Sequence, residues 1–331
     1  MRVFVAGASG AIGRHLVPQL LANGHDVVAM TRSPGKTDAL RAAGAYPVVV
    51  DGLDRDAVLA AVTGAEPEVV VHQMTAITDV GNPRRIDAEF APTNELRTKG
   101  TDHLLEAARA AGARRFVAQS FGGWPNIREG GPVKTEDDPL DPVPPTAMRR
   151  TLDAIRYLEH AVAGAEGLEG VVLRYGGFYG PLADMPAKFV ETIRKRRMPV
   201  VGAGSGVWSF VHLDDAAAAT VAAVERGAPG IYNIVDDEPA AVTEWLPCLA
   251  EALGAKPPRH MPAWLGRLAG GEAAISVMTQ VRGSSNAKAK RELGWQPRHP
   301  SWRTGFADIL DAREARSPVS PGRYAEKAAM R

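Results

Sequence analysis

Short apolar runs alternate with helical repeats through the first half of the chain. Val3–Ala6, Val27–Met30, Val48–Val50, Val69–His72 and Phe116–Gln119 are rich in β-branched residues and are bounded by polar or glycine-containing stretches, which predicts strands. Between them, Ile12–Leu21, Lys36–Ala43, Asp54–Val62 and Glu95–Ala111 predict helices; in the first, Ile12, Leu16, Leu20 and Leu21 recur at helical spacing. Strands that are apolar at every position are covered on both faces. With helices as right-handed crossovers, the pattern predicts a doubly wound α/β fold around a parallel sheet.

Residues 122–145 interrupt the alternation with Gly, Pro and Asp, and predict a long loop. A helix is predicted from Thr146 to Ala163 and a strand at Val171–Arg174. Beyond these, short strands at Ser209–His212 and Ile231–Ile234 stand among helices and proline-containing loops. The chain reads as a first domain over residues 1–175, a smaller lobe over 176–312 interleaved with it, and a tail over 313–331 whose Pro318, Pro321 and Gly322 predict mobility.

The sharpest local signal is Gly7-Ala8-Ser9-Gly10-Ala11-Ile12-Gly13, set between the first strand and the first helix. Gly7 permits the tight turn, Gly10 lets backbone amides of the loop approach a diphosphate, and Gly13 allows close packing of helix on strand. The phosphates sit at the positive end of the helix. A glycine triplet alone is a weak signal; its place at the start of a βαβ unit makes it a dinucleotide site. An NAD-specific site ends its second strand with Asp or Glu for the ribose 2′-hydroxyl. Here Val27-Val28-Ala29-Met30-Thr31-Arg32-Ser33 carries no acid. Arg32 can meet a 2′-phosphate, with Arg14 as a second cation, unless both are solvated surface charges. The exchange of acid for base favours NADP, with NAD as the alternative. Asp51, followed by Gly52, ends the third strand and either accepts from the adenine amino group or caps the next helix.

Composition narrows the class further. A chain of 331 residues with 45% hydrophobic and 23% charged residues buries a large core. Its 39 Lys+Arg against 38 Asp+Glu leave no footprint for nucleic acid and no polybasic membrane anchor. A single cysteine, Cys248, excludes an intrachain disulfide, and the histidines show no metal-ligand spacing, so no metal is expected. Without a long apolar stretch before Gly7 or a run long enough to span a bilayer, the expected location is the cytoplasm.

Several ordered segments together resemble the extended short-chain dehydrogenase/reductase family, the group of nucleotide-sugar epimerases and dehydratases. Gly7–Gly13 is similar to its phosphate loop, and His72-Gln73-Met74-Thr75-Ala76 to the stretch after its fourth strand. Gly100-Thr101-Asp102-His103-Leu104-Leu105-Glu106-Ala107-Ala108 resembles its next helix, and Leu173-Arg174-Tyr175-Gly176-Gly177-Phe178-Tyr179-Gly180-Pro181 its Leu-Arg-x-x-x-x-Tyr-Gly-Pro segment. Phe210–Asp215, Tyr232-Asn233-Ile234 and Leu293-Gly294-Trp295-Gln296-Pro297 resemble later landmarks, so the likeness runs to about residue 310. The resemblance implies a nicotinamide cofactor, with His72, Gln73, Tyr175 and Phe178 along it. It also implies a homodimer paired through the helices Glu95–Ala111 and Thr146–Ala163.

The catalytic pattern of that family is broken. Its tyrosine and lysine, four residues apart on a helix, move the proton at the substrate oxygen. Register from Glu159 places Thr151 at the tyrosine position and Ile155 at the lysine position; Tyr157 is followed four residues later by Ala161. Phe121 takes the place of the Ser/Thr after strand five, with Ser120 one step before, and Arg97 takes that of the asparagine, with Asn94 three residues earlier. Threonine is too weak an acid to replace tyrosine unaided.

The remaining candidates for chemistry are Ser120, Arg150 (with Arg149), Thr151 and Tyr175, along with Tyr179. Each also has a plain reading as a satisfied strand-end serine, a solvated charge or a packed aromatic. Trp124 and Trp208 are either pocket walls or core. The sequence supports an NADP(H)-binding oxidoreductase acting on a carbonyl/alcohol pair of a small organic substrate of secondary-metabolite type, with non-standard acid/base groups. Loss of the tyrosine and lysine keeps two alternatives open: a redox-silent cyclase, isomerase or lyase, and a non-catalytic dinucleotide sensor.

Overall fold

The computed structural model describes residues 1–77 and 81–316. Its central sheet has seven parallel strands: β1 (Arg2–Ala6), β2 (Asp26–Thr31), β3 (Tyr46–Val49), β4 (Val69–His72), β5 (Arg115–Phe121), β6 (Glu169–Tyr175) and β7 (Gly230–Ile234). Their spatial order is β3-β2-β1-β4-β5-β6-β7. The order reverses between β1 and β4, and the crevice outside the carboxyl ends of these strands is where a doubly wound sheet takes its ligand.

The helices that position the site are α1 (Gly13–Ala22), α2 (Arg55–Ala65), α3 (Thr101–Ala110), α4 (Arg149–Ala163), α5 (Ala187–Arg194), α6 (Leu213–Glu225) and α7 (Ala263–Thr279). Alternation along β1 explains why every residue after Arg2 is apolar. Val3 and Val5 pack in one core with Leu16 and Leu20 of α1 and Ala216 and Ala223 of α6. Phe4 and Ala6 pack in the opposite core with Val62 of α2, Leu104 of α3 and Leu158 of α4. A third core, built on Tyr179, Val200, Phe210, Trp245, Trp302 and Phe306, lies in the later part of the chain.

The later chain returns to the main sheet more deeply than short strands among loops would suggest. The run read as Ile231–Ile234 is β7, paired in parallel with β6, and Leu293 and Trp295 join the same core as α1. The helix read as Glu95–Ala111 is three pieces: Ala91–Glu95 with Pro92 in its first turn, a π-turn at Leu96–Gly100, and α3. The helix read from Thr146 opens as a single 3-10 turn, Thr146–Met148, behind Pro144 and Pro145, and becomes α-helical at Arg149. The stretch read as loop, 122–145, is fixed by a short parallel pairing of Val133–Lys134 with Gly283–Ser284. The last helix, Trp302–Arg316, runs past Ala312 into what the sequence reads as tail; the rest of that tail, from residue 317, lies outside the described residues. Among the described residues no helix is long and apolar enough to cross a membrane.

Candidate functional site

The glycine loop has the geometry its sequence demands. Gly7 adopts φ +90°, and a Cβ there would stand 2.6 Å from the carbonyl oxygen of Gln73. A Cβ at Gly13 would stand 2.2 Å from the carbonyl oxygen of Ala8. Neither position tolerates a side chain, so the loop stays flush against the sheet with Gly10 and Ala11 exposed above it and Ile12 buried below. The amides of Gly7 and Ala8 both donate to the carbonyl of Met30 at 3.1 Å, which locks the loop to β2. The Ser9 hydroxyl shares a 2.8 Å hydrogen bond with that of Thr31 at the end of the same strand.

From Arg32 to Lys36 the charged residues beyond Thr31 are both cations. Arg32 is exposed and its side chain has no hydrogen bond or ion pair among the described residues. Lys36, on the single turn Pro34–Lys36, reaches toward the carbonyl of Ser9 at 3.5 Å. Lys36 was not singled out by motif; its signal is a second basic residue one turn beyond Arg32. Arg14 is already engaged in an ion pair with Asp184 at 3.0 Å. Asp51 is exposed and accepts from the amide of Leu53 at 3.0 Å. Gly52 is buried because a Cβ there would strike the Met74 sulfur at 2.4 Å.

His72 and Gln73 follow at the end of β4, fully inside. The Nδ1 of His72 accepts from the amide of Met74 and Nε2 faces the carbonyl of Leu96, both at 3.2 Å, which fixes the neutral tautomer protonated on Nε2. Burial pushes its pKa down to about 4. Gln73 donates through Nε2 to the Tyr175 hydroxyl at 3.2 Å, while its Oε1 is buried without a partner. His72 therefore holds backbone, and Gln73 keeps one buried, unpartnered acceptor.

The catalytic candidates lie in different surroundings. Tyr175 is 1% exposed. Its hydroxyl accepts from Gln73 and is bonded at 2.6 Å to Thr220, which itself donates to the carbonyl of Ala216. Burial raises its pKa to about 12. Both of its hydrogen-bonding roles are thus spent in the core. Tyr179 is equally buried, donates to the carbonyl of His299 at 3.2 Å and is held well above the ordinary phenol range by burial. Phe178, beside Tyr175, remains 37% exposed. Ser120 donates at 2.7 Å to Glu159, whose carboxylate also takes two bonds from Arg174, so the serine belongs to a buried ion pair. Thr151 is fully buried; its hydroxyl donates to Asp87 at 2.8 Å and accepts from Asn94 at 3.2 Å. Arg150, like Arg149, is exposed at the start of α4 with a side chain unbonded among the described residues.

Behind this pattern stand Asp87, which the sequence did not announce, and Arg97 at the asparagine position. The Asp87 carboxylate receives the amides of Arg150 and Thr151 at 3.0 and 2.8 Å and so caps α4 from another element. Arg97, on the π-turn, is 5% exposed, lies 5.8 Å over the Phe90 ring and donates to Asn94 at 3.4 Å. Burial lowers its pKa to about 10, and the nearby Glu159 works against that.

Past the carboxyl end of β5 a cavity of about 520 Å³ opens between the main sheet and the third core. Phe90, Phe121, Trp124, Trp208 and Phe189 form aromatic walls. Both tryptophans left open by the sequence, Trp124 and Trp208, line it, and the Trp208 indole donates to the carbonyl of Val277 at 3.0 Å. Among the described residues its only ionisable side chain is Arg197.

A rigid glycine cradle at the reversal point of a parallel sheet, opening beside an apolar cavity, defines a Rossmann-type protein with a separate ligand chamber. The chain belongs to the NAD dependent epimerase/dehydratase family, whose model matches residues 3–235. It is 48% identical over 310 residues to a 3-diazoavenalumate denitrifying reductase from a Streptomyces species, covering 92% of this chain and 99% of that one. It is 27% identical to a 4-hydroxy-2-methyl-3-oxo-4-farnesyl-3,4-dihydroquinoline-1-oxide ketoreductase from Stigmatella aurantiaca, covering 99% and 100%. Among solved structures, a UDP-glucose 4-epimerase from Thermotoga maritima with UDP-glucose superposes with a TM-score of 0.72 at 26% identity, over 95% of this chain and 99% of that one.

Proposed function

We propose that the chain is an NADPH-dependent reductase that delivers hydride to an aromatic diazonium compound and releases dinitrogen. One observation carries this reading: among the described residues, no Tyr, His, Lys, Cys, Asp or Glu lines the cavity. A ketone that accepts hydride becomes an alkoxide and needs a proton from a group of suitable pKa. An arenediazonium cation needs none in the hydride step, because hydride itself cancels the charge, and the later loss of N₂ only moves the diazene proton from nitrogen to the ring carbon, with water able to relay it. Hydride adds to the terminal nitrogen, Ar–N≡N⁺ + H⁻ → Ar–N=N–H. The carbon–nitrogen bond of that diazene then breaks, giving ArH and N₂ as the proton leaves nitrogen and a proton is gained at the ring carbon. The 48% identical relative, whose name describes reductive denitrification of a diazo acid, supports the same chemistry.

The residues present fit the cofactor. The cradle at Gly7 and Gly13 is closed to any Cβ, with the Gln73 backbone carbonyl packed against Gly7. Arg32 and Lys36 suit the 2′-phosphate of NADPH, and no acid at the end of β2 selects for NADH. When bound, the nicotinamide supplies the hydride. The aromatic walls favour a flat cationic ring by burial and by their negative faces.

The test is anaerobic turnover of a diazonium-bearing aromatic acid against an enzyme-free control. One NADPH oxidised per N₂ released and per arene formed is the expected result. Arene formed without NADPH loss, or ketones reduced faster than the diazonium compound, would overturn the reading.

A further inference from the structure

Among the described residues the cavity's one charge stands in a run of four basic residues, Arg194-Lys195-Arg196-Arg197, that begins at the last residue of α5. Three of them are committed elsewhere. Arg194 donates to the carbonyl of Leu253 at 3.3 Å, Arg196 to that of Pro257 at 2.8 Å, and Lys195 is ion-paired with Glu191. Arg196 also takes the left-handed conformation, φ +55°, which is unusual for a side-chain-bearing residue. That turn, closed by the amide of Arg197 on the carbonyl of Thr192 at 2.9 Å, carries the next residue into the cavity wall. Arg197 is exposed there, and its guanidinium forms no hydrogen bond or ion pair among the described residues; Glu191, the acid it feels electrostatically, is held by Lys195.

A fork of unspent donors in a chamber otherwise lined by apolar residues and the neutral Asn82, Thr192 and Ser209 is suited to a carboxylate, which it meets with two parallel, charge-assisted hydrogen bonds. Neighbouring lining residues leave the fork unopposed: Thr192 is neutral, Met198, Pro199, Val201 and Met261 are apolar, and the cavity contains no acid among the described residues. The opposite wall, from Phe121 and Trp124 at the end of β5, is aromatic. A sugar nucleotide, with its many hydroxyls, finds few polar partners in such a chamber.

We propose that Arg197 sets substrate class: it takes the carboxylate of a planar aromatic acid whose ring lies between the aromatic walls. This deepens the proposed reductase reading by naming the acid, but it is tested by binding alone. Calorimetry with 4-hydroxycinnamate and with its neutral primary amide, on the NADPH-saturated full chain, compares ligands that accept no hydride at nitrogen. The acid is expected to bind about tenfold more tightly than the amide, a difference of about 1.4 kcal/mol. Arg197→Gln should abolish that preference while NADPH affinity and melting temperature stay unchanged, and Arg197→Lys should retain part of it. Equal binding of acid and amide, binding of neither, preferential binding of UDP-glucose, or a preference that survives in Arg197→Gln would each overturn the assignment. Failure of diazonium turnover with the acid preference intact would sink only the reductase reading.

Discussion

Tyr175 has the residue type of a proton donor and the surroundings of a core residue. Its hydroxyl is bonded to Gln73 and Thr220 and its pKa stands at about 12. Tyr175→Phe should leave kcat within about threefold, where loss of a general acid lowers it about 10²–10⁴-fold. The same variant should lose about 1–3 kcal/mol in urea unfolding, because the Gln73 amide and Thr220 oxygen are left without their buried partner. A kcat lowered a hundredfold in a folded variant would return Tyr175 to the chemistry. What was legible at this scale follows from how far each partner lies along the chain. Gly7 and Gly13 were readable because residue type alone answers a backbone requirement. Ser120, Thr151 and Tyr175 were not, because Glu159, Asp87 and Thr220, which consume their hydroxyls, come from other elements and no local pattern announces them. Arg197 was unread for the same reason: four consecutive basic residues look alike until packing spends three of them.

Among the elements, α4 shows how a helix can be predicted correctly while the reason for its start stays hidden. The helix itself was read from the sequence, and in the structure Leu152, Ile155, Leu158 and Val162 form its buried face. Its cap comes from outside. Arg150 and Thr151 donate their amides to Asp87, so a full carboxylate charge sits at the positive end of the helix. Asp87→Asn removes that charge and is expected to cost about 1–2 kcal/mol of unfolding free energy. The urea midpoint of the variant, at unchanged slope, checks this; an unchanged midpoint would show that solvent caps the helix equally well. The π-turn at Leu96–Gly100 was hidden too, since the extra residue it inserts leaves the apolar spacing of α3 intact. That turn accompanies the inward placement of Arg97. The sheet needed no such partners: each strand carries its own apolar signature, and β7, read within the interleaved later lobe, pairs with β6 across a long crossover.

For the whole molecule, the cradle is coupled to both bodies of packing. From α1, Arg14 pairs with Asp184 at 3.0 Å, in the segment that leads to the third core, and His15 meets Asp214 of α6 at 2.7 Å. A ligand that orders the start of α1 therefore acts on the entire folded chain rather than on one loop. Binding to the folded state alone adds about 2.7 kcal/mol at a hundredfold excess over Kd, which raises the melting temperature by a few degrees. NADPH is expected to produce that shift, and NADH at equal concentration a smaller one, since it has no 2′-phosphate for Arg32 and Lys36. Arg32→Ala should weaken NADPH binding about 10- to 100-fold, the range of a lost charged hydrogen bond of about 1.5–3 kcal/mol, and bring the two nucleotides together. Gly7→Ala should remove the shift for both, because its Cβ would strike the Gln73 carbonyl and lift the loop off the sheet. If NADH stabilised the wild-type chain more than NADPH, Arg32 and Lys36 would be solvated charges and the preference would lie elsewhere. If neither nucleotide moved the melting temperature at millimolar concentration, the cradle would be a structural turn and the hydride chemistry would have no source.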